Sequence, residues 1–144
     1  MNKKGFTLIE LLVVIAIIGL LSTFAVVALS QTRAKARDAR RLADLKQIQL
    51  ALEQYYYDHS AYPNGTALTL GAADATCIGT DGISTSCGTD AYMGLVPADP
   101  LSTSHYVYTV ASSTYTVTAH LEGTMGNLTG NVILTPAGIG PGTN

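Results

Sequence analysis

No lysine or arginine occurs after Lys46 in this 144-residue chain; all eight basic residues, Lys3, Lys4, Arg33, Lys35, Arg37, Arg40, Arg41 and Lys46, lie in its first third. The remainder carries seven carboxylates and a net charge of −7, which argues against a nucleic-acid-binding body. Residues 1–46 set eight cations against Glu10, Asp38 and Asp44, a net of +5, so the two parts are electrostatically complementary. Charge is scarce altogether, at 12% against 47% hydrophobic residues. With a mean hydropathy of +0.26, part of the apolar content needs a home other than a core. The length allows one small domain plus an extended element.

Proline and glycine are absent between Gly19 and Pro63, so nothing there interrupts a helix. Also missing are a Ser, His and acid grouping and a glycine-rich phosphate loop, and no enzymatic activity is expected. Cysteine occurs only twice, at Cys77 and Cys87, in a stretch rich in Gly, Ser and Thr. A disulfide is the simplest reading and implies an oxidising compartment. Two free thiols remain the alternative, and the histidines are too scattered to complete a zinc site.

What is present begins with Phe6 to Leu29, FTLIELLVVIAIIGLLSTFAVVAL, an apolar run of membrane-spanning length: about 36 Å as a helix. The predicted helix continues to about residue 58, where Asp58 to Gly65 gather turn formers around Pro63. Its second part is amphipathic. Leu45, Ile48, Leu52 and Tyr55 form a packing stripe, with Arg41, Lys46, Gln47 and Glu53 assigned to water.

Beyond it, residues 64–104 read as loops with one short helix near Ala91 to Leu95, closed by the cysteine pair. Residues 105–121 alternate β-branched and aromatic side chains around Ser112-Ser113 and predict a hairpin. In that register Val110 opposes Tyr115 and Tyr108 opposes Val117, which places Tyr106, Tyr108, Val110, Tyr115 and Val117 on one face against the helix stripe. A third strand, Asn131 to Thr135, precedes a Gly and Pro rich tail. The fold class is therefore α+β: a long N-terminal helix, apolar then amphipathic, packed on a small antiparallel sheet.

Two lysines, a glycine and an apolar run containing a carboxylate make an unusual combination at Lys3, Lys4, Gly5, Phe6 and Glu10. A lone Glu in a membrane-length segment is costly and points to function. An ordinary signal peptide cut at Ala28-Leu29-Ser30, leaving an exported binding protein beginning at Gln31, is the competing reading. The sequence KKGFTLIELLVVIAIIGLL, Lys3 to Leu21, resembles the N-terminal signature of type IV prepilins and type II secretion pseudopilins. The resemblance continues through YYYDHSAYP. LVPADP at Leu95 to Pro100, the Tyr-rich hairpin and Leu121-Glu122 are similar to the globular region of major pseudopilins.

That resemblance implies a leader (1–5), a transmembrane and filament-core segment (6–30), an amphipathic helical segment (31–58) and a globular region (59–144). It implies cleavage after Gly5 by prepilin peptidase, methylation of Phe6, and Glu10 as the family's acid; one helical turn from the new amine in a low-dielectric setting, Glu10 is then expected to pair with the Phe6 amine of a neighbouring subunit in assembly. The implied partners are the lipid bilayer, other pilin or pseudopilin subunits, and an inner-membrane assembly platform with its ATPase. No nucleic acid is expected. The implied product is a secretion pseudopilus subunit, with a type IV pilin for adhesion, motility or DNA uptake as the alternative. The N-terminus would be cytoplasmic and the globular region extracytoplasmic.

Six basic residues follow the apolar run and only two precede it, which opposes this orientation under the positive-inside rule. The cysteine pair and the family resemblance favour it. The basic run itself reads as a solvated face or as a contact for acidic lipid or for neighbouring subunits. No cofactor is expected. Calcium is considered at Asp81, Asp90 and Asp99, and an adventitious metal at His105 and His120 across the hairpin.

Overall fold

The computed structural model describes residues 5–142; Lys3, Lys4 and most of the leader lie outside them. One helix, α1, runs from Leu8 to His59, close to the predicted 6–58. The chain divides into two compact units between Ala34 and Lys35.

In the first unit every described side chain from Gly5 to Arg33 is exposed. Its hydroxyls turn back onto the helix. Ser22 donates to the Ile18 carbonyl and Thr23 to that of Leu20, each at 2.7 Å, and Ser30 and Thr32 donate to Val27 and Ala28, each at 2.9 Å. These four hydroxyls are thus satisfied without water, as a helix in hydrocarbon requires. By length and composition α1 is able to cross a membrane once.

In the second unit the eight strands are β1 (Leu68–Leu70), β2 (Cys77–Gly79), β3 (Gly82–Ser84), β4 (Ala91–Met93), β5 (Tyr106–Ala111), β6 (Thr114–Met125), β7 (Leu128–Thr135) and β8 (Gly138–Pro141). They form a five-stranded sheet, β1-β5-β6-β7-β8, and a three-stranded one, β3-β2-β4, with antiparallel pairing throughout. Leu45, Ile48, Ala51 and Leu52 of α1 share a core with Tyr106, Tyr108, Tyr115, Val117, Ala119, Val132 and Leu134. Period-two burial along β5 and β6 meets the helix stripe, as the patterning predicts. The hairpin register also agrees: Val110 pairs with Tyr115 and Tyr108 with Val117, and Ser112 takes the positive φ of 54° that the two-residue turn needs. At the end of α1, Ser60 adopts a φ of 54° and its amide donates to the Tyr56 carbonyl at 2.7 Å, a left-handed cap.

Four expectations are corrected. Residues 64–104, expected as loops, contribute β1, which pairs with β5, and the β2–β3 ladder, strands too short to show a side-chain period. Ala91–Met93 is a strand instead of part of a short helix, because it can pair with β2 and complete the small sheet. The Gly and Pro rich tail contributes β8, which adds to the edge at β7 through backbone hydrogen bonds that need no side-chain pattern. Arg41, assigned to water, has no exposed surface at all.

The small sheet is closed by the expected Cys77–Cys87 disulfide, whose Cα atoms are 6.0 Å apart. A Cβ added to Gly79 would fall 2.7 Å from the Cys87 Cβ, so glycine there lets the bridge pass over β2.

Candidate functional site

Gly5, Phe6 and Thr7 precede the first helical turn, and all three are exposed. The Gly5–Phe6 peptide bond therefore lies outside the helical hydrogen-bond ladder. A Cβ at Gly5 would meet nothing within 4 Å. The fold makes no demand for glycine at this position among the described residues.

Glu10 has a local partner that the sequence reading missed. Its carboxylate accepts the Thr7 amide at 2.8 Å and the Thr7 hydroxyl at 2.6 Å, while the Glu10 amide approaches the Thr7 hydroxyl at 3.4 Å. This is a capping box, legible as Thr-x-x-Glu ahead of an apolar run. In an isolated chain the carboxylate is thus not orphaned, and it sits at the N-terminus of α1, where the helix dipole favours a negative charge.

Within the second unit the polar residues converge on Arg41. Its Nε and Nη2 form a bidentate pair with Asp99, both bonds 2.8 Å, and Nη1 donates to Asp38 at 2.8 Å and Glu122 at 2.7 Å. Arg37 also forks onto Glu122, with Nε to Oε1 at 2.7 Å and Nη2 to Oε2. Asp38 in turn accepts the Glu122 and Gly123 amides at 3.0 and 2.9 Å. Those two amides lie where the β6 and β7 register is interrupted, between His120 and Thr124. One guanidinium therefore ties α1 to the PADP segment and to β6.

The two stretches singled out for their family likeness, LVPADP and Leu121-Glu122, meet at this point. Asp99 is carried there by a tight crossing: a Cβ on Gly71, whose φ is +77°, would lie 2.7 Å from the Ala98 Cα. Its oxygen also accepts the Leu101 amide at 2.8 Å. Burial alone would raise the Asp99 pKa, but the Arg41 fork and the Leu101 amide outweigh it and hold it below the usual aspartate value. The Arg37 fork, helped by Arg41, pulls Glu122 down to about 2.

Phenol groups lock the neighbouring core. Tyr106 donates to Asp44 at 3.0 Å, Tyr108 to the Pro63 carbonyl at 2.6 Å, and Tyr62 to Glu53 at 3.1 Å. Burial raises Asp44 above the ordinary aspartate value despite the Tyr106 bond and Arg40.

Two of the residues considered for ions have other partners. Asp99 is committed to Arg41, and His120 Nδ1 lies 3.0 Å from the Asn131 side-chain oxygen. Among the described residues no three His, Cys, Asp or Glu side chains converge as a metal cage.

The family model described as the prokaryotic N-terminal methylation motif matches residues 1–26, which include Gly5, Phe6, Thr7 and Glu10. The type II secretion system core protein G of Vibrio cholerae serotype O1 is 39% identical over 62 residues, 43% of this chain and 42% of that protein. A fimbrial protein of Neisseria meningitidis serogroup A is 36% identical over 76 residues, 53% of this chain and 44% of its own length. No solved structure matches. Thus the chain spans from about two fifths to two thirds of the relatives it matches. The longest of these alignments is with the core protein G of Escherichia coli K12, at 30% identity over 99 residues, 69% of this chain and 67% of that protein; the chain belongs to the family of type II secretion system core protein G.

Proposed function

We propose that this chain is a structural subunit of a type II secretion pseudopilus. The observation that carries the reading is the methylation motif on a chain whose Gly5–Phe6 junction is exposed and non-helical, directly before an apolar helix with no partner inside its own unit. The helix holds the precursor in the inner membrane. Prepilin peptidase cuts after Gly5 and methylates Phe6, and an assembly platform with its ATPase draws the helix into a bundle of its own kind. The globular region is extracytoplasmic, in keeping with the Cys77–Cys87 disulfide. The chain holds shape and transmits force, and catalyses nothing.

Cleavage gives Glu10 a second possible partner. In the precursor Thr7 satisfies it; in the bundle the Phe6 α-amine of a neighbour supplies a full positive charge in a low-dielectric setting, where an unpaired carboxylate is costly. Exchange of the Thr7 bonds for that ion pair sets the axial register of entry.

Mass spectrometry of the mature N-terminus tests the reading. N-methyl-Phe6 is expected, whereas Gln31 at the N-terminus would overturn it in favour of an ordinary signal peptide. Glu10→Ala should be inserted and cut normally yet yield few filaments. Normal filament yield from that variant would remove the assembly role from Glu10. The match to a fimbrial protein favours a type IV pilin as the second reading. Deletion of the chain separates the two: loss of exoprotein secretion supports the pseudopilus, and loss of adhesion, motility or DNA uptake supports the pilin.

A further inference from the structure

In the second unit, α1 has a face that nothing covers. Ala36, Arg40, Ala43, Gln47, Leu50, Gln54 and Tyr57, spaced four and three residues apart, are all exposed. Leu50 is 63% and Tyr57 88% exposed, and Lys35 and Lys46 lie at the margin of the same face. Alternating steps of four and three describe a straight seam along a helix, the arrangement that packs against another elongated surface. Among the described residues Lys35 and Lys46 form no ion pair, and Arg40 has only a loose one, 3.8 Å from Asp44.

The complementary chemistry lies elsewhere in the same unit. Asp74, Asp81 and Asp90 are exposed and take part in no ion pair among the described residues. They flank or belong to the disulfide-closed sheet, and beyond β4 Leu95 is 78% exposed. This module is anchored at the far end of α1: Tyr92 donates to Asp58 at 2.6 Å and meets the Tyr55 ring edge-on. From Asp58 back to Arg40 is about 27 Å of helix at 1.5 Å per residue. Side chains do not bridge that length, so within one chain Asp81 and Asp90 cannot neutralise the basic end of the seam.

We propose that the seam is the docking surface for a second copy, which places its acidic disulfide module, with Asp81, Asp90 and Leu95, against Arg40, Lys46 and Leu50. The contact deepens the filament reading above by supplying an interface outside the apolar helices. It joins two different patches, so each added copy leaves one of each patch free, and repetition gives an open helical array. Acidic lipid is the weaker occupant. Residues 35–144 hold five cations against nine carboxylates, a net of −4, and a body of that charge is repelled by an anionic surface while a copy of itself offers both signs.

Carbodiimide cross-linking of the full chain in membranes, followed by peptide mass spectrometry, reads the contact directly. Lys46 joined to Asp90 or Asp81 of another copy is expected, with the two copies distinguished by isotope labelling. Arg40→Glu with Lys46→Glu should lower filament yield at least tenfold while processing at Gly5 and the melting temperature stay unchanged. Asp81→Lys with Asp90→Lys should do the same, and the fourfold variant should recover most of the yield. Filaments that form without the cross-link, or a fourfold variant no better than either double one, would overturn the contact and leave the filament reading standing. A cross-link without filaments would count against the filament reading alone. Loss of binding to phosphatidylglycerol vesicles, with self-association unchanged in the basic-site variant, would assign the seam to lipid and overturn the proposal.

Discussion

The same helix is built under opposite rules before and after its midpoint. From Leu8 to Ser30 every side chain is exposed, nearly all are apolar, and the polar atoms find partners within three or four residues. From Asp38 to Leu52 one stripe is buried, and it contains three charged residues whose partners lie as many as 85 residues away. The first segment carries its polar requirements within itself, as the proposed transfer from lipid to a bundle of like helices requires. The second is fixed by a sheet.

The largest test of the contrast is Arg41→Met. Removing the guanidinium leaves Asp38 and Asp99 buried without their cation, a loss of the kind that costs about 3 to 5 kcal/mol, and a sharp fall in the melting temperature of the detergent-solubilised chain is expected. Helicity of residues 8–30, followed by amide exchange in the same sample, should be unchanged. A variant that melts like the parent would mean that the ion-pair cluster is not what holds the sheet to the helix.

This cluster also marks what could be read in advance. The stripe Leu45, Ile48, Leu52 and the hairpin register around Ser112-Ser113 follow from periods of 3.6 and 2, which depend only on local geometry. Continued one turn back at the same spacing, the stripe runs through Arg41 and Asp38. The charge of Arg41 led to its assignment to solvent, because the compensating Asp99 and Glu122 are distant in sequence. The three-residue strands of residues 68–93 carried no period long enough to detect, and β8 is held by backbone alone. At the N-terminus the capping box was legible in Thr7 and Glu10, whereas cleavage at Gly5 rests on likeness to a family, since no fold requirement marks that glycine.

A smaller effect comes from acid. Glu122 falls from the ordinary 4.5 to about 2 through the Arg37 fork and then Arg41, and Asp99 is also lowered. Groups with depressed folded values contribute stability that is complete above the unfolded value and is lost as the pH falls through the folded one. Asp44, which is raised, works in the opposite direction and partly offsets the loss. The melting temperature should hold down to about pH 5 and decline between roughly 4.5 and 2. Arg37→Gln should shrink that decline and end it at a higher pH, because Glu122 then titrates closer to its unfolded value. An acid profile identical to the parent's would detach Glu122 from Arg37 energetically, despite their geometry.

The smallest effect belongs to the other segment. Thr7→Ala removes the hydroxyl that caps α1 and one of the two bonds to Glu10, a change worth about 1 kcal/mol at a helix N-terminus. It should speed amide exchange in the first turn, Leu8 to Leu11, about fivefold in detergent, because 1 kcal/mol corresponds to roughly that factor. The melting temperature of the sheet-bearing unit should not move, since the bonds of the Thr7 side chain are local, to Glu10 in the same helical turn. If the same variant also raises the yield of assembled filaments, Glu10 is being released by Thr7 to an external cation, and the local satisfaction that lets the precursor wait in the membrane is what assembly has to displace. If yield falls together with first-turn protection, the cap itself is what assembly needs, and the carboxylate keeps Thr7 as its partner in the filament.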